Sequence, residues 1–382
     1  MGHHRGPKTT TQDLIFCYDT GNEKSFAGEP TTNMVSYSEY QYLADGYTEA
    51  LGGWDTHEGT MLIDVSNKVP GFTNRSIKMT CVNANVYKYH FGVPLTNGQT
   101  YTISFWAKAQ IAGNYDNFML ADGPGGYLIV QPSSITTLTT EFTRVKHTFS
   151  MTSRDTGTYN FATYLYGNGQ VVWLTGFQVE NKSQATRYLP SNGTPSTRSV
   201  TQGLIDLTRN QTINLSSVSF DSNAQMVFDG TDDFIDTNFS PTSINNPTIE
   251  AVVYRNTATG RYEAIVQNNV DSDDALYVHP SGILGFWPCA PSSLTVPTGQ
   301  WSYVAVSYNG TTLTYCVNGT IQVVTTTCND IMDWDFLRIG AHGSGDGERW
   351  IGKIAIAKLY NRALTSSELY QNYNALKSRF NL

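Results

Sequence analysis

The sequence has few charged residues, no run of basic residues and no long apolar segment. Only 15% of its 382 residues are charged, and the formal net charge is −8 at pH 7. Phosphate binding requires clustered Lys and Arg, so this charge pattern argues against a nucleic-acid partner. No apolar run approaches the roughly 18 residues of a membrane span, and the polar residues 1–11 do not resemble a signal peptide. We expect a soluble protein that binds neither nucleic acid nor membrane.

Cysteine is also sparse, and its spacing excludes two common uses. The five cysteines are an odd number, and none stands in a Cys-x-x-Cys pair. They form neither a zinc motif nor a complete disulfide framework. Cys17 and Cys316 lie inside apolar strand patterns, where a buried thiol behaves as a small hydrophobic side chain. The simpler interpretation is a chain that folds in a reducing compartment.

Glycine and tyrosine, by contrast, are abundant, with 33 and 23 residues, and Thr and Asn are frequent. Aromatic and β-branched residues favour strands, and Gly and Asn favour the turns between them. Polar and apolar residues alternate over Thr100–Ala109 and over 144–151, 159–166 and 171–179. Asn-Gly pairs at 309–310 and 318–319 predict type I′ hairpins. The sequence therefore predicts an all-β protein built of jelly-roll or β-sandwich domains, and its length favours two of them.

One short helix is predicted, at the C-terminus. Thr365 is the expected N-cap, and Glu368 three residues later completes a capping box. Leu369, Tyr373 and Leu376 recur at helical spacing. We expect this helix to pack on a β domain.

Two motifs resemble those of a known family of β-sandwiches. Residues 351–369 read Ile-Gly-Lys-Ile-Ala-Ile-Ala-Lys-Leu-Tyr-Asn-Arg-Ala-Leu-Thr-Ser-Ser-Glu-Leu, and residues 228–234 read Phe-Asp-Gly-Thr-Asp-Asp-Phe. The first resembles the final strand and trailing helix of concanavalin A-like, laminin-G-like domains, and the second resembles an early element of the same family. Residues 6–8 and 14–26 resemble the first strand of laminin-G-like proteins of marine tailed phages. The resemblance implies a concanavalin A-like fold and a bacteriophage structural protein.

The order of the motifs suggests that one domain is inserted into another. Residues 171–180, followed by Ala185 and Thr186, resemble the last strand of carbohydrate-binding-module-like jelly rolls. We predict a polar N-terminal arm at 1–11, a discontinuous laminin-G-like domain at 12–28 and 197–382, and an inserted jelly roll at 29–196. Insertion at an exposed turn is tolerated because the ends of a compact domain lie close together. The alternative is two sequential domains, with residues 1–30 as a virion-binding arm.

The sequence lacks the motifs of the enzymes that share this fold. Laminarinase-type glycosidases place paired carboxylates on one strand in a Glu-x-Asp-x-x-Glu pattern, and the chain has no such pattern. It also lacks the Gly-x-Ser-x-Gly elbow of Ser-His-Asp hydrolases. We therefore expect no enzyme activity and no catalytic residues.

Acidic loops are candidate calcium sites, because loop carboxylates suit a hard cation. A solvated acidic turn is the alternative for each, and at Asp232 and Asp233 hydrogen bonds to the turn backbone are expected instead. Thr175 stands where related jelly rolls often carry a calcium-binding Asp, which argues against a calcium ion there. The candidate calcium ligands are Asp271, Asp273 and Asp274, and in a second loop Asp346 and Glu348.

Glycan binding needs exposed aromatic rings beside polar groups. Trp106, Trp173 and Trp301 fall inside alternating strands and are expected in the core. Subunit packing is an equally good role for any exposed aromatic residue of a virion protein. The candidate carbohydrate-binding residues lie in loop-like contexts and are Trp54, His57, Tyr277, His279 and Trp287.

These observations and the resemblance together imply a non-enzymatic virion protein, such as a head-decoration protein, a head fibre or a tail fibre adhesin. Its expected partners are other virion proteins and host surface polysaccharide, and a homo-oligomer is expected. The N-terminal arm is expected to dock on a neighbouring subunit. The alternatives are a secreted glycan-active enzyme of laminarinase-like fold and a free lectin-like module.

Overall fold

A computed structural model describes residues 8–46, 48–49, 59–82, 86–115, 118–122, 127–130, 136–151, 156–165, 167, 169–240, 244–268, 276–325, 336–343 and 348–382. The chain divides into two compact units. Unit 1 comprises Met1–Pro30, Ser199–Asp221 and Gln225–Leu382, and unit 2 comprises Thr31–Arg198 and Ser222–Ala224.

Both units consist of β-sheet, and the described residues contain one helix, so the predicted all-β class with a short C-terminal helix is confirmed. Unit 1 begins with β1 (Leu14–Asp19). The strands of unit 2 are β2 (Thr31–Asn33), β3 (Thr48–Glu49), β4 (Gly59–Asp64), β5 (Ser76–Cys81), β6 (Val86–Leu95), β7 (Thr100–Ala109), β8 (Gly113–Tyr115), β9 (Phe118–Asp122), β10 (Tyr127–Val130), β11 (Thr136–Leu138), β12 (Thr143–Ser150), β13 (Gly157–Leu165), β14 (Val171–Glu180) and β15 (Ser196–Arg198).

The remaining elements return to unit 1. They are β16 (Ile213–Asn214), β17 (Ser219–Phe220), β18 (Met226–Asp229), β19 (Ile235–Thr237), β20 (Thr248–Arg255), β21 (Glu263–Asn268), β22 (Leu276–Val278), β23 (Leu284–Phe286), β24 (Trp301–Tyr308), β25 (Thr312–Val317), β26 (Thr320–Thr325), β27 (Leu337–Ile339), β28 (Ile351–Tyr360) and α1 (Ser366–Phe380). Among the described residues, no helix has the length and apolar character of a membrane span.

Unit 1 contains two antiparallel sheets. The larger has the order β17-β18-β28-β20-β24-β25-β26, and β1 also pairs with β28. The smaller has the order β16-β19-β27-β21-β22-β23. Strand β28 bonds to β20 along one edge and to β1 and β18 along the other, so strands from both ends of the chain meet there.

Alternation along the strands explains how the larger sheet is buried on both faces. Along β20, Ile249, Ala251 and Val253 belong to the apolar core that fills the space between the two sheets. Val252 lies on the opposite face, in a second apolar cluster that contains Leu369 and Leu376 of α1. Burying such side chains contributes about 1.5–3 kcal/mol each. The large sheet is therefore the middle layer between the smaller sheet and the helix.

Helix α1 begins at the residue that the sequence predicts. The Thr365 hydroxyl accepts a hydrogen bond from the Glu368 backbone N–H, and the Glu368 carboxylate accepts one from the Thr365 N–H. The helix ends at Asn381, which adopts a left-handed conformation. The predicted capping box is confirmed.

A buried carboxylate joins the helix to the sheet. Glu250 is 1% exposed, and its Oε1 accepts hydrogen bonds from the Tyr303 hydroxyl at 2.6 Å and from Asn372 Nδ2 at 2.7 Å. Its Oε2 lies 3.3 Å from both Lys358 Nζ and the Tyr360 hydroxyl. Because a buried charge is costly unless it is paired and hydrogen-bonded, this network fixes α1 against three strands.

The described part of the N-terminal segment docks on this same helix. The Thr10 N–H donates to Asn372 Oδ1 at 2.7 Å, and the Thr10 carbonyl lies 3.0 Å from the Tyr360 hydroxyl. Gln371 Nε2 donates to the Lys8 carbonyl at 2.7 Å. We expected an arm that docks on a neighbouring subunit, but from Lys8 onward the segment is held by its own chain, because its backbone groups find partners on α1.

Unit 2 has the sheet orders β12-β7-β14-β5-β4-β3 and β10-β9-β13-β6, with two short pairs, β11-β8 and β15-β2. Strand β7 has the bounds that the alternation predicts. Its residues Tyr101, Ile103 and Phe105 enter the apolar core of this unit, together with Val93 of β6 and Tyr159 of β13. The intervening residues of β7 therefore face outward from the six-stranded sheet.

Both predicted Asn-Gly hairpins form, although their turns differ. Asn318 and Gly319 both have positive φ, as a type I′ turn requires. At the other turn only Gly310 has positive φ, and Asn309 Oδ1 accepts hydrogen bonds from the N–H groups of Thr311 and Thr312. The type I′ prediction is wrong there, because the Asn309 side chain stabilises a longer turn.

The Glu250 network generates a stability prediction. The variant Glu250→Ala leaves the Lys358 ammonium buried without its partner, and we expect the free energy of unfolding to fall by about 3–5 kcal/mol. The double variant Glu250→Leu/Lys358→Met removes both charges and should lose less. Urea denaturation measures both. A double variant that loses as much as the single variant would contradict this account of the pair.

Candidate functional site

Several of the predicted site residues lie outside the described residues, so those hypotheses stay predictions. These residues are Trp54, His57, Asp271, Asp273, Asp274 and Asp346. The structure describes Tyr277, His279, Trp287 and Glu348, and it shows how the first three are positioned.

Tyr277 and His279 are brought together by a third ring. Tyr262 contacts the Tyr277 ring at 5.4 Å between centroids and the His279 ring at 5.2 Å, edge to face in both cases. The Tyr277 ring lies against Gly285, its partner on β23, where an added Cβ would stand 2.4 Å from Tyr277 Cζ. Trp287, which follows β23, lies outside this group of ring contacts.

The exposure of these rings corrects one prediction. Tyr277 is only 5% exposed, and burial, with Tyr262 nearby, raises the pKa of its hydroxyl to about 12. It is therefore not the exposed aromatic platform that we expected, because Gly285 leaves room for its ring to pack on the sheet. His279 is half-buried, and its Nδ1 lies 2.8 Å from Ser281 Oγ within the same turn. Trp287 is 43% exposed and retains a ring surface that can bind a ligand.

An acidic cluster lies at the 228–234 motif. The carboxylates of Asp229, Asp232 and Asp233 have oxygen atoms within 4.8 Å of one another. The Asp233 carboxylate accepts hydrogen bonds from the N–H groups of Ser219 at 2.8 Å and Asp229 at 2.7 Å. Although these bonds lower it, burial dominates and raises the pKa of Asp233. Asp233 orders the turn, and calcium binding by this protein remains a prediction.

The outward face of the six-stranded sheet in unit 2 carries aromatic and charged side chains that the sequence analysis did not place together. Trp106 and Trp173 were expected in the core, but neither belongs to the apolar cluster between the sheets. Both point to the opposite face, where Trp106 is 8% exposed and Trp173 is half-buried. For Trp106 the sequence did carry this information. Alternate residues of a strand point to the same face, so Trp106 shares the face of Ser104 and Lys108 and not that of Phe105. The third tryptophan, Trp301, packs beneath α1 in the cluster on the helix side.

Three of these outward residues form a cross-strand row, which we call the lysine row: Lys108 of β7, Trp173 of β14 and Lys78 of β5. Trp173 is the direct partner of both lysines. Lys108 Nζ lies 4.9 Å and Lys78 Nζ 5.5 Å from the centroid of the Trp173 ring. Both distances are typical of cation–π contacts.

Hydrogen bonds fix the indole between the lysines. Trp173 Nε1 donates to Asp64 Oδ2 at 2.9 Å, and Asn67 Nδ2 donates to the same oxygen at 2.7 Å. Partial burial raises the pKa of Asp64, but the hydrogen bonds from Ser66, Trp173 and Asn67 outweigh it and hold the pKa well below its usual range. Lys108 Nζ also donates to Asn67 Oδ1 and lies 5.0 Å from the Phe142 ring centroid.

A second cation–aromatic pair lies one row away. The Arg144 guanidinium stands 5.0 Å from the centroid of the Trp106 ring and donates from Nη2 to Ser104 Oγ at 2.8 Å. Burial lowers the pKa of this guanidinium. The exposed Phe72 and the edge of Tyr188 complete the surroundings of Trp106. The face thus offers aromatic rings, amide groups and cations to a ligand.

The cysteines supply no reactive group to these surfaces. Cys17, Cys81 and Cys316 are free and buried, and burial raises the pKa of the Cys17 and Cys316 thiols to about 12. Thiols of raised pKa are poor nucleophiles at neutral pH. Cys289 is disulfide-bonded, which the sequence analysis did not predict.

The fold and these surfaces define a protein with a lectin-like unit and a carbohydrate-binding type of jelly roll. Residues 229–369 match the family model of the concanavalin A-like lectin/glucanases superfamily, and residues 40–166 match that of a carbohydrate binding domain. Carbohydrate-binding domains of this kind are non-catalytic. No curated protein sequence matches the chain.

Parts of several solved structures are similar to this chain at low sequence identity and low TM-score. Domain 4 of AbnA, an extracellular arabinanase of Geobacillus stearothermophilus in complex with arabinotriose, is 18% identical with a TM-score of 0.38, and the match covers 46% of this chain and 93% of that domain. The receptor-binding domain of a botulinum neurotoxin C/D mosaic is 15% identical with a TM-score of 0.36, over 45% of this chain and 48% of that one. A Trypanosoma rangeli sialidase mutant is 14% identical with a TM-score of 0.35, over 46% and 31%.

Asp64 generates a pH-dependent prediction. Its folded-state pKa lies below the ordinary value of 3.8, so the ionised carboxylate stabilises the fold at neutral pH, and this stabilisation is lost as the pH falls below that value. At pH 7 the variant Asp64→Asn should lose about 1–2 kcal/mol in free energy of unfolding. The difference from wild type should shrink steadily as the pH is lowered to about 2.

Thermal unfolding at a series of pH values measures this difference. Glu141→Gln is a matched control, because Glu141 is an exposed acid of the same unit whose side chain has no recorded hydrogen bond among the described residues. A loss for Asp64→Asn that is the same at every pH would contradict the role assigned to the ionised carboxylate.

Proposed function

We propose that this chain is a non-catalytic, glycan-binding structural protein of a bacteriophage particle. The observation that carries the glycan-binding part is the outward face of the six-stranded sheet in unit 2, where aromatic rings, amides and cations share one surface. Aromatic faces pack against the apolar faces of sugar rings, and polar groups beside them bind hydroxyls. Most of this face falls within the residues that match a carbohydrate binding domain.

The buried carboxylates support a binding role without catalysis, because each is engaged in the fold. Glu263 pairs with Arg255 at 2.7 Å, and both are buried. Glu180 accepts a hydrogen bond from the Thr31 hydroxyl at 2.7 Å. A general acid or nucleophile must instead reach the bond that it cleaves.

The virion assignment rests on the resemblance of residues 6–8 and 14–26 to the first strand of laminin-G-like proteins of marine tailed phages. A head-decoration protein, a head fibre or a tail fibre adhesin would place the glycan-binding face on the outside of the particle, as part of a homo-oligomer held by other virion proteins. The disulfide at Cys289 is compatible with a protein that acts outside the cell, where disulfides persist.

Polysaccharide binding without cleavage is the first test. In affinity electrophoresis, gels that contain laminarin, alginate or a soluble cellulose derivative should retard the protein in at least one case, and no polymer should release reducing ends. Trp173→Ala should weaken the retardation by roughly tenfold, about 1.4 kcal/mol. Tyr370→Ala, which removes an exposed ring of unit 1, should have no effect. Release of reducing ends would exclude the non-catalytic role.

Mass spectrometry of purified particles tests the virion assignment. Peptides of this chain should co-purify with the major capsid protein through a density gradient and persist after washing in high salt. Their absence from particles, combined with their presence in the lysate supernatant, would favour a free lectin-like module instead.

A further inference from the structure

We infer that the glycan bound by unit 2 is acidic and that the lysine row binds its carboxylate or sulfate groups. This inference rests on the proposed glycan-binding function and names the class of ligand. It depends on three features of the row: two ammonium groups that flank one indole, the absence of an ion pair to either of them among the described residues, and the presence of further cations along the sheet.

The first feature is the convergence of two cations on one ring. Lys78 and Lys108 stand on strands either side of Trp173, so their backbones are about 10 Å apart, two strand spacings. Their ammonium groups nevertheless both lie within 5.5 Å of the same indole centroid. The indole is therefore flanked by two cations, one from each neighbouring strand.

The second feature is that neither ammonium group is ion-paired within the part of the chain that the structure describes. Among the described residues, no ion pair within 4.0 Å involves Lys78 or Lys108. Asp64 is the acid of this neighbourhood, and its carboxylate already accepts hydrogen bonds from Trp173 Nε1, the Ser66 N–H and the Asn67 amide. A cation–π contact at an exposed site contributes only about 0.5–1 kcal/mol and leaves the charge in place.

The third feature is that positive charge continues on the same face. Arg144 and Lys146 occupy successive outward positions of β12, and Arg144 lies beside Trp106, the outward residue that precedes Lys108 on β7. Successive outward residues on one strand are about 7 Å apart. A line of cations at such intervals fits a polymer with repeated anionic groups better than a single small anion.

The same geometry argues against a neutral glycan at the lysine row. Stacking of a neutral sugar requires an open ring face, whereas two ammonium groups lie over the Trp173 ring. An anionic group beside this ring would instead accept charge-assisted hydrogen bonds from both lysines, and such bonds are roughly twice as strong as neutral ones. The indole acts as the support that positions the two cations.

The experiment compares a charge-removing double variant with a matched control. In Lys78→Met/Lys108→Met both cations are replaced by side chains of similar length. In Lys8→Met/Lys24→Met the same net charge is removed from exposed positions of unit 1. Thermal unfolding first verifies that both proteins are folded. Binding is then measured by affinity electrophoresis with alginate as the carboxylate polymer, a sulfated galactan as the sulfate polymer and laminarin as the neutral polymer.

We expect wild type and the unit 1 control to bind at least one acidic polymer equally well, and the Lys78/Lys108 variant to bind it at least tenfold more weakly. Wild-type binding should also weaken between 0.05 and 0.5 M NaCl, by roughly the same order, because salt screens exposed charges. The two acidic polymers distinguish carboxylate from sulfate recognition.

Three results would overturn the inference. Undiminished binding of acidic polymers by the Lys78/Lys108 variant would remove the lysine row from the site. Binding of laminarin in preference to both acidic polymers would show a neutral ligand and would leave the proposed glycan-binding function intact. Failure of wild type to bind any of the three polymers would reject that function together with the inference.

Discussion

Glu250 is a buried carboxylate that requires hydrogen-bonding partners, and this requirement determines what packs on the outer face of the large sheet of unit 1. A carboxylate that is 1% exposed requires partners, and it finds them on neighbouring strands and on α1 through Tyr303, Lys358 and Asn372. The helix is thereby fixed over the outer face of the sheet, the face that an open sandwich would leave available for a ligand. This face of the sheet is therefore covered by the protein's own helix.

The same constraint extends to the start of the chain. Asn372 binds both Glu250 and the Thr10 backbone, so the helix that covers the carboxylate also holds the N-terminal segment. The next strand, β1, pairs with β28. In the sequence, the residues of unit 2 separate β1 from the rest of unit 1. Loop-closure entropy grows only slowly with loop length, so a long intervening segment costs the sheet little once its two ends are fixed close together.

Periodicity and capping chemistry were sufficient for the fold class, for strands such as β7, and for the start of α1. They were insufficient where both faces of a strand carry large side chains, because alternation identifies two faces without saying which one is buried. Trp106 and Trp173 were assigned to the core for this reason, although Trp106 alternates in phase with Lys108 of the same strand. The prediction for Tyr277 was wrong in the opposite sense, since the residue was expected to be exposed and is buried. Its burial depends on Gly285 of the neighbouring strand, a contact that no local sequence pattern contains.

Net charge argued against a nucleic-acid partner, but it did not predict the local distribution of charge. The chain carries a formal charge of −8, yet two ammonium groups converge on Trp173 with no ion-paired carboxylate among the described residues. Nucleic acids recruit proteins through many phosphate contacts, which a few cations on an acidic protein cannot supply. Binding of a polysaccharide with spaced carboxylates or sulfates requires fewer cations and more apolar contact than binding of a nucleic acid. A face that sets cations against indole rings meets both demands, because the rings that position the charges also border the surface on which sugar rings would pack.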